Sequence, residues 1–295
     1  MNISVVICTL NRPPILHDTI LSIMKQELKP RQVLVSSTGR EHMLPETLAL
    51  PGVEFVLSPM GSCVQRNRGL DAIAPGTDLV VFMDDDVELC TSYVAEMARL
   101  FTDHPEIKIA NGRMLHDGGR GTRISREEAI KLCREYDQIH PENAALSYKS
   151  VRSGYGCNMA CRYSSVADIR FDERMPLYGF LEDRDFSHRT TLGGHPPVDL
   201  HNAAAVHLGW RSGRVSGVRL GFATIVNPIY LKRKANTFSF GFIFVQYWMR
   251  CLVGNVLGLI TRDKEYDRVG LLKGNFMGWY HLLTGKCDPE HILHL

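Results

Sequence analysis

Three adjacent carboxylates, Asp84, Asp85 and Asp86, end an apolar run, Leu79-Val80-Val81-Phe82-Met83. Carboxylates this close repel one another and lose solvation unless a cation compensates them. Asp84 and Asp86 alternate along an extended chain, so both can reach one hard divalent ion. Asp85 turns the other way, toward a nucleotide ribose or solvent. The competing reading is a solvated turn before a helix. A second acidic pair, Glu182-Asp183, stands about 100 positions downstream. A carboxylate within hydrogen-bond reach of an incoming hydroxyl can remove its proton. Glu182 would orient Asp183 or bind the acceptor. A divalent ion can hold a diphosphate and neutralise its charge as it departs. Mg²⁺ typically uses one or two carboxylates together with substrate phosphates. The two acidic groups therefore fit transfer of an activated group from a nucleoside diphosphate to an alcohol. Arg66 could contact phosphate from a helix start; a solvated surface arginine is the alternative.

Short buried strands must position these groups. Ile3-Ser4-Val5-Val6-Ile7-Cys8 reads as a first strand, Gln32 to Ser37 as a second and Val53 to Leu57 as a third. Ile15, Ile20, Ile23 and Met24 space as a helix that Pro13-Pro14 can open, running to about Gln26. Ser62 with Gln65 fits a capping box, as does Ser125 with Glu128. The run ending at Asp84 is bounded by Pro75-Gly76 and is followed by a helix from about Thr91 to Phe101. Strands alternating with helices make a nucleotide-binding α/β half, with ligands at the carboxyl ends of its strands. Ile107 to Ala110 is a further strand, and Gly112 to Thr122 reads as a loop. Glu182-Asp183 falls at a loop-to-helix transition that Gly193-Gly194 stops. Ala203 to Leu208 is a short strand carrying His207.

The 295 residues suffice for one large domain or a domain with an extension, and 44% hydrophobic content supports a substantial core. A net charge of +2 makes no case for nucleic acid. Eight scattered cysteines with no C-x-x-C pair suit a reducing compartment. The N-terminus has no basic segment followed by a long apolar core, so no signal peptide is expected. From Trp210 to Lys286, twelve basic residues face three acidic ones, a balance of +9. Inside lies the aromatic run Phe238 to Met249. Basic flanks around an amphipathic aromatic segment predict peripheral contact with an anionic membrane through about 232–262. Gln246, Arg250 and Asn255 argue against a true span. A core helix packed on the α/β domain is the competing reading.

The chain resembles a family 2 glycosyltransferase of the GT-A fold. The matching pieces are Val6-Ile7-Cys8-Thr9-Leu10-Asn11-Arg12, Arg66-Asn67-x-Gly69, Asp84-Asp85-Asp86 as a D-x-D motif, and Glu182-Asp183-x-Asp185 with Arg189 and Gly193. The resemblance covers about residues 1 to 210 and implies an α/β fold: a Rossmann-like nucleotide-binding half and a mixed, mainly parallel central sheet. It divides the chain into a catalytic domain over 1–210 and a basic, aromatic helical extension over 211–295. Within the domain, 1–112 would bind the nucleotide sugar and 113–210 the acceptor. The implied reaction is an inverting transfer from a nucleotide sugar, with Mn²⁺ or Mg²⁺. Asp84 and Asp86 would hold the metal and Asp183 would be the base. Thr9, Asn11, Arg12, Arg66 and Asp85 would lie at the nucleotide, and Asn158 in the donor-sugar and acceptor loop. A late histidine can complete such a metal site, which makes His207 a candidate ligand, with a structural histidine at a strand end as the alternative; the loop Gly209 to Gly213 could form a lid over the diphosphate. The family often carries an acid after the second strand, where this chain has Val35-Ser36-Ser37. A serine can still bond a base, but uridine preference is in doubt and GDP- or dTDP-sugars stay open.

Two other classes compete. A haloacid-dehalogenase-like phosphatase also places D-x-D after a buried strand, with the first Asp as nucleophile. Glu88 stands where that pattern wants Thr or Val, and a whole βαβ half precedes the motif. A catalytically inactive sugar-binding scaffold is the third. The expectation is a cytoplasmic glycosyltransferase, peripheral on the inner face of the plasma membrane. It would extend a surface polysaccharide on a glycan or lipid-linked glycan acceptor.

Overall fold

A computed structural model of the chain describes residues 1–140, 144–212, 215–262 and 266–295. The chain forms two compact units. One holds residues 1–60, 65–170 and 186–213; the other holds 61–64, 171–185 and 214–295.

The first unit is built on a nine-stranded sheet. Its strands are β1 (Ile3–Cys8), β2 (Gln32–Ser37), β3 (Val53–Leu57), β4 (Leu79–Asp84), β5 (Val87–Leu89), β6 (Ile109–Asp117), β7 (Tyr148–Ser150), β8 (Asn158–Arg162) and β9 (Val198–His207). The order is β3-β2-β1-β4-β8-β6-β9-β5, with β7 beside β9. β1 to β4 pair in parallel; β8 runs antiparallel between β4 and β6, and β6 is parallel to β9. This is the mixed, mainly parallel sheet expected. β1, β2 and β4 are buried nearly throughout, as strands covered on both faces must be.

The helices are α1 (Pro13–Met24), α2 (Pro45–Leu48), α3 (Ser62–Asp71), α4 (Tyr93–Asp103), α5 (Arg126–Ile139), α6 (Tyr163–Val166), α7 (Glu182–Thr191), α8 (Gly217–Ala235), α9 (Phe240–Ile243), α10 (Arg250–Ile260) and α11 (Arg268–Leu283). Leu16, Ile20 and Ile23 turn the apolar side of α1 inward, and Tyr93, Met97 and Phe101 do so for α4. Each such side chain contributes roughly 1.5–3 kcal/mol on burial. Ser125 and Glu128 form the expected capping box at the start of α5. All eight cysteines are free thiols.

Two local expectations meet detail in the structure. Ser62 and Gln65 both lie in the first turn of α3. Ser62 Oγ donates to Tyr178 O, and the Gln65 amide donates to the carbonyls of Thr9 and Ser36. Those carbonyls sit at the ends of β1 and β2, where the ladder stops, and a buried glutamine satisfies them. The stretch from Gly112 is not all loop, because β6 runs on to Asp117. Pairing with β9 holds it, with register shifts at Gly112/Arg113 and Met114/His116 that absorb the irregular sequence. Gly112 is needed there: a Cβ would collide with the Tyr93 ring and stand 2.8 Å from Ala203 O.

In the second unit α8 and α11 pack closely, and Gly221, Gly274 and Gly278 lie where a Cβ would strike the facing helix. Leu177, Phe222, Ala223, Val226 and Ile292 form its core. α9, a π-helical turn over Phe244–Met249 and α10 follow one another in a single helical run, Phe240–Ile260.

Candidate active site

The carboxyl ends of the parallel strands bring the first group of residues together. Cys8 of β1 lies opposite Asp84 of β4 and Ser36 of β2. Past Asp84 the chain turns into β5, whose Val87 pairs with His207 at the end of β9. That pairing places Asp86 beside His207, although 121 positions separate them. One ligand atom from each of Asp84, Asp86 and His207 falls within 4.8 Å of the others. His207 Nε2 is 3.2 Å from Asp86 Oδ1 and 3.8 Å from Asp84 Oδ2. Asp86 and His207 are buried and Asp84 is half-open. Two carboxylates and an imidazole converging at the rim of a sheet suit a divalent ion such as Mn²⁺ or Mg²⁺.

The proton balance agrees. Burial alone would raise the Asp86 carboxyl, but hydrogen bonding and charge from His207, then Arg12, outweigh it and hold it at about 2. Burial would lower His207, yet neighbouring Cys157, Asp117 and Asp86 raise it well above its ordinary value. Without an ion, the imidazolium supplies the missing positive charge, and an arriving cation must displace its proton.

A fourth residue was not legible in the sequence. Asp117 Oδ1 lies 3.1 Å from His207 Nδ1 and accepts the hydroxyl of Tyr155. A carboxylate behind a ligating histidine fixes its tautomer and raises its basicity. Asp117 closes the part of β6 that reads as loop. Its register with His207 is the only signal for it, and that is tertiary. Gly119 leaves room for the imidazole, since a Cβ there would stand 2.6 Å from His207 Cε1. Trp210 was also missed: its N–H donates to Asp86 Oδ2 at 2.7 Å, and its ring lies under Arg123. The proposed lid is thus docked at Trp210, while its end at Gly213 lies outside the described residues.

The nucleotide-side residues divide. Arg66 is buried, with Nη2 3.2 Å from Gly156 O and 3.8 Å from Asp84 Oδ1. This excludes the surface-arginine reading. Gly156 makes the room, because a Cβ would stand 2.6 Å from that guanidinium. Gly69 serves the same motif by letting α3 approach Val6 of β1. Asn11 is exposed at φ 58°, a left-handed conformation asparagine tolerates, and donates its N–H to His42. Arg12 spans Asp85 at 3.0 Å and Asp86 at 3.8 Å.

Expected ligand contacts at Thr9, Asp85, Asn158 and the serines after β2 are closed off within the fold. Asp85 is fully buried, facing neither ribose nor solvent. It accepts from Thr9 Oγ1 at 2.6 Å, so neither carboxylate nor hydroxyl is presented outward. Burial raises Asp85, Arg12 pulls it back and Asp86 raises it again, leaving it at about 7. Asn158 is fully buried and spends its amide on Gly112 N, Gly112 O and the Tyr93 hydroxyl, bracing β8 against β6. Ser36 and Ser37 are also fully buried, and Ser37 donates to Thr9 O, so neither offers a hydroxyl to a base.

In the second unit, Glu182 and Asp183 open α7, where the helix dipole favours carboxylates. Glu182 is buried and Asp183 half-buried. Asp183 Oδ1 accepts the N–H of Arg184 at 2.7 Å. The preceding loop is strained: Leu177 and Leu181 adopt φ of 61° and 74°, in a region bulky residues avoid. Such strain persists only where surroundings enforce it, and it clusters at working sites. Here Leu177 O accepts from Ser62 N, and Phe180 O accepts from Asn227 Nδ2 on α8. Lys234, also on α8, lies 3.0 Å from Asp185 and 2.7 Å from Asp172.

Residues 4–170 match the model of the family described as "Glycosyl transferase family 2". No curated protein sequence matches the chain significantly. Among solved structures, TarS residues 1–349 of S. aureus, in complex with UDP-GlcNAc, aligns with a TM-score of 0.57 at 16% identity, over 93% of this chain and 79% of that one. The mannosyltransferase PcManGT of Pyrobaculum calidifontis, with GDP-Man and Mn²⁺, aligns at 0.57 and 12% identity, over 99% and 85%. GalNAc-T7 with UDP, GalNAc and Mn²⁺ aligns at 0.54 and 13% identity over 86% of this chain, which spans only 57% of the GalNAc-T7 chain. At these identities the likeness establishes the fold, GT-A.

Proposed function

This chain belongs to glycosyl transferase family 2, and from that premise we propose that it is a metal-dependent, inverting glycosyltransferase. The donor would be a nucleoside-diphosphate sugar and the acceptor a glycan hydroxyl, in the assembly of a surface polysaccharide. The observation that carries the reading is the convergence of Asp84, Asp86 and His207 at the carboxyl ends of the strands, with Asp117 behind the imidazole.

Asp84, Asp86 and His207 would hold the divalent ion, which when bound supplies charge neutralisation for a departing diphosphate. Arg66, buried and fixed on Gly156, would add a positive charge for phosphate. Asn11 and Arg12 line the same strand-end rim. Asp183 would take the proton of the acceptor hydroxyl as its oxygen attacks the anomeric carbon. The bond from that carbon to the diphosphate oxygen breaks, and its electron pair leaves with the nucleoside diphosphate. Attack from the face opposite the leaving group inverts the anomeric centre. The absence of an open acid or serine after β2 leaves the nucleobase undecided, and the structural neighbours carry both uridine and guanosine donors.

The test is turnover of a panel of UDP-, GDP- and dTDP-sugars with Mn²⁺, scored by nucleoside diphosphate release and by the product's anomeric configuration. Asp183→Asn should lower kcat by about 10²–10⁴-fold, the usual worth of a general base, with nucleotide affinity retained. Near-normal turnover removes Asp183 as the base. Release of inorganic phosphate from phosphomonoesters, with no nucleoside diphosphate formed, favours the phosphatase class instead.

A further inference from the structure

The second unit exposes more apolar surface than a water-facing surface accounts for. Over Phe240–Ile260, a helical run of 21 residues with mean hydropathy 1.4, only 22% of the most apolar stretch is buried. Val245, Met249, Leu252, Val256 and Ile260 recur at three- and four-residue steps and are all at least 41% exposed. That spacing makes one face of a helix. The opposite side packs inward through Ile243, Trp248, Asn255 and Gly258. α11, which packs on α10, repeats the arrangement: Val269, Phe276, Tyr280 and Leu283 are 67–83% exposed, while Gly270, Gly274 and Gly278 turn inward. Isolated exposed apolar residues are ordinary in proteins; contiguous faces on two neighbouring helices mark an interaction surface.

Charge identifies the occupant. Between Phe238 and Thr261 there is no acidic residue and only one charged one, Arg250, which is exposed. Lys232, Arg233 and Lys234 precede the run; Arg262 follows it, within 262–268, where three basic and three acidic residues balance. Lys273 and Lys286 stand exposed on and after α11. A cation-flanked apolar face with aromatic residues at its start is the composition that binds an anionic lipid surface in its plane. A span through the bilayer fits less well. Asn255 donates to Asn275 and accepts from Arg268, so the polar side of α10 is tied to its neighbour within the unit.

The same unit carries Asp183, and the two features are mechanically joined. Arg184, the next residue, lies 4.7 Å from the Phe238 ring and 5.4 Å from the Phe242 ring, at the start of the apolar run. Phe180 packs edge-on against Tyr247 of that run. The loop that presents the carboxylates is thus seated on the segment with the exposed face.

We propose that the exposed face of Phe240–Ile260 and α11 seats in the interfacial layer of an anionic membrane, and that the acceptor is an amphiphile whose sugar headgroup meets Asp183 at that surface. The acceptor part rests on the glycosyltransferase reading; the membrane part does not. Full-length protein should co-sediment with phosphatidylglycerol-containing vesicles, and at least tenfold less with phosphatidylcholine alone or in 0.5 M salt. It should be extracted by alkaline carbonate. Leu257→Glu with Ile260→Glu changes two exposed positions and should weaken vesicle binding at least tenfold with an unchanged circular dichroism spectrum. The double variant should keep metal-dependent donor hydrolysis and lose transfer to acceptor glycolipid in vesicles. No binding to anionic vesicles, or equal binding by the variant, overturns the membrane part. Resistance to carbonate overturns it in favour of a span. A dimer that the double substitution dissociates, without vesicle binding, assigns the face to a second copy. Vesicle binding with equal turnover by the variant on vesicle-borne acceptor overturns the acceptor part. Vesicle binding with no donor turnover at all leaves the membrane part standing and removes the glycosyltransferase reading.

Discussion

Asp117→Asn separates a metal site from a mere ion-pair cluster. Asp117 Oδ1 stands 3.1 Å from His207 Nδ1, and the imidazole side chain is 6% exposed. A hydrogen bond to an ionised partner is worth about 1.5–3 kcal/mol and one to a neutral amide about 1 kcal/mol. Asparagine keeps an acceptor of similar shape, so the substitution removes about 0.5–2 kcal/mol of support for the ring. If His207 ligates a cation, that is a loss of roughly tenfold in affinity, at 1.4 kcal/mol per decade. It lies at the low end of the 10–100-fold typical for residues behind a ligand. A second effect has the opposite sign. Asp117 also helps keep the proton on His207, and the ion must displace that proton. The substitution therefore eases proton competition at low pH, and the net weakening should be largest at high pH. Titration calorimetry with Mn²⁺ and a nucleoside diphosphate should show a larger loss at pH 8.5 than at pH 6.5. Thermal denaturation gives a second readout: a tenfold weaker Kd removes about 1.4 kcal/mol of cation-induced stabilisation at saturating Mn²⁺. Unchanged affinity at both pH values in a folded variant refutes the reasoning, because the imidazole is then no ligand.

Three further outcomes follow from the same geometry. The His207 pKa is raised, so its ion pairs stabilise the metal-free fold fully below about 6.5, its ordinary value, and are lost as pH rises through the raised value. Metal-free protein should lose stability across the alkaline side of neutrality, whereas Mn²⁺ should stabilise progressively more; denaturant titrations at pH 6.5 and 8.5 with and without the ion check both signs. Gly69→Ala should destabilise by about 1–3 kcal/mol, because its Cβ drives into Val6 in a filled core; an unchanged denaturation midpoint contradicts the close packing of α3 on β1. Lys234→Met should cost about 1.5–3 kcal/mol, the scale of a hydrogen bond between charged groups, because Lys234 bridges Asp172 and the fully buried Asp185. A cost near zero by urea denaturation means that Lys234 does not hold the start of α7.

What was legible in the sequence was local. A short apolar run ending in carboxylates needs no partner to be read, so β4 and the Asp84/Asp86 alternation are plain. The Ser125 capping box is likewise complete within four residues. His207 was reached through resemblance alone, because its meeting with Asp86 depends on how β5 pairs with β9. Asp117 was hidden by a misread loop, since a glycine-rich, charged stretch becomes strand only when a neighbour supplies the hydrogen bonds. Asn158 shows the reverse failure. A polar residue in a motif-like segment looks available for a ligand, but only the cross-strand carbonyl and amide of Gly112 show that its bonds are already spent. The grouping of 171–185 with the C-terminal helices has the same cause: Lys234 meets Asp172 and Asp185 across 62 and 49 positions.

Asp85 explains why three carboxylates stand where two would hold an ion. Alternation sends it away from Asp84 and Asp86, into a fully buried place. A buried acid there is unfavourable by itself, as its rise to about 7 indicates. Its surroundings give the compensation. Thr9 donates to one oxygen and Arg12 lies against the other. Arg12 also approaches Asp86, and its Nη1 reaches Trp210 O at 3.4 Å, while Trp210 N holds Asp86. Asp85 therefore ties the loop after β1, the turn after β4 and the segment after β9 into one frame around Asp86. Removing it should loosen the frame without deleting a ligand. Asp85→Asn should thus weaken Mn²⁺ binding less than Asp86→Asn, and at neutral pH it should also destabilise the metal-free fold less, because Asp86 is held ionised at about 2 whereas Asp85 is raised to about 7. The reverse order would place Asp85, not Asp86, at the cation.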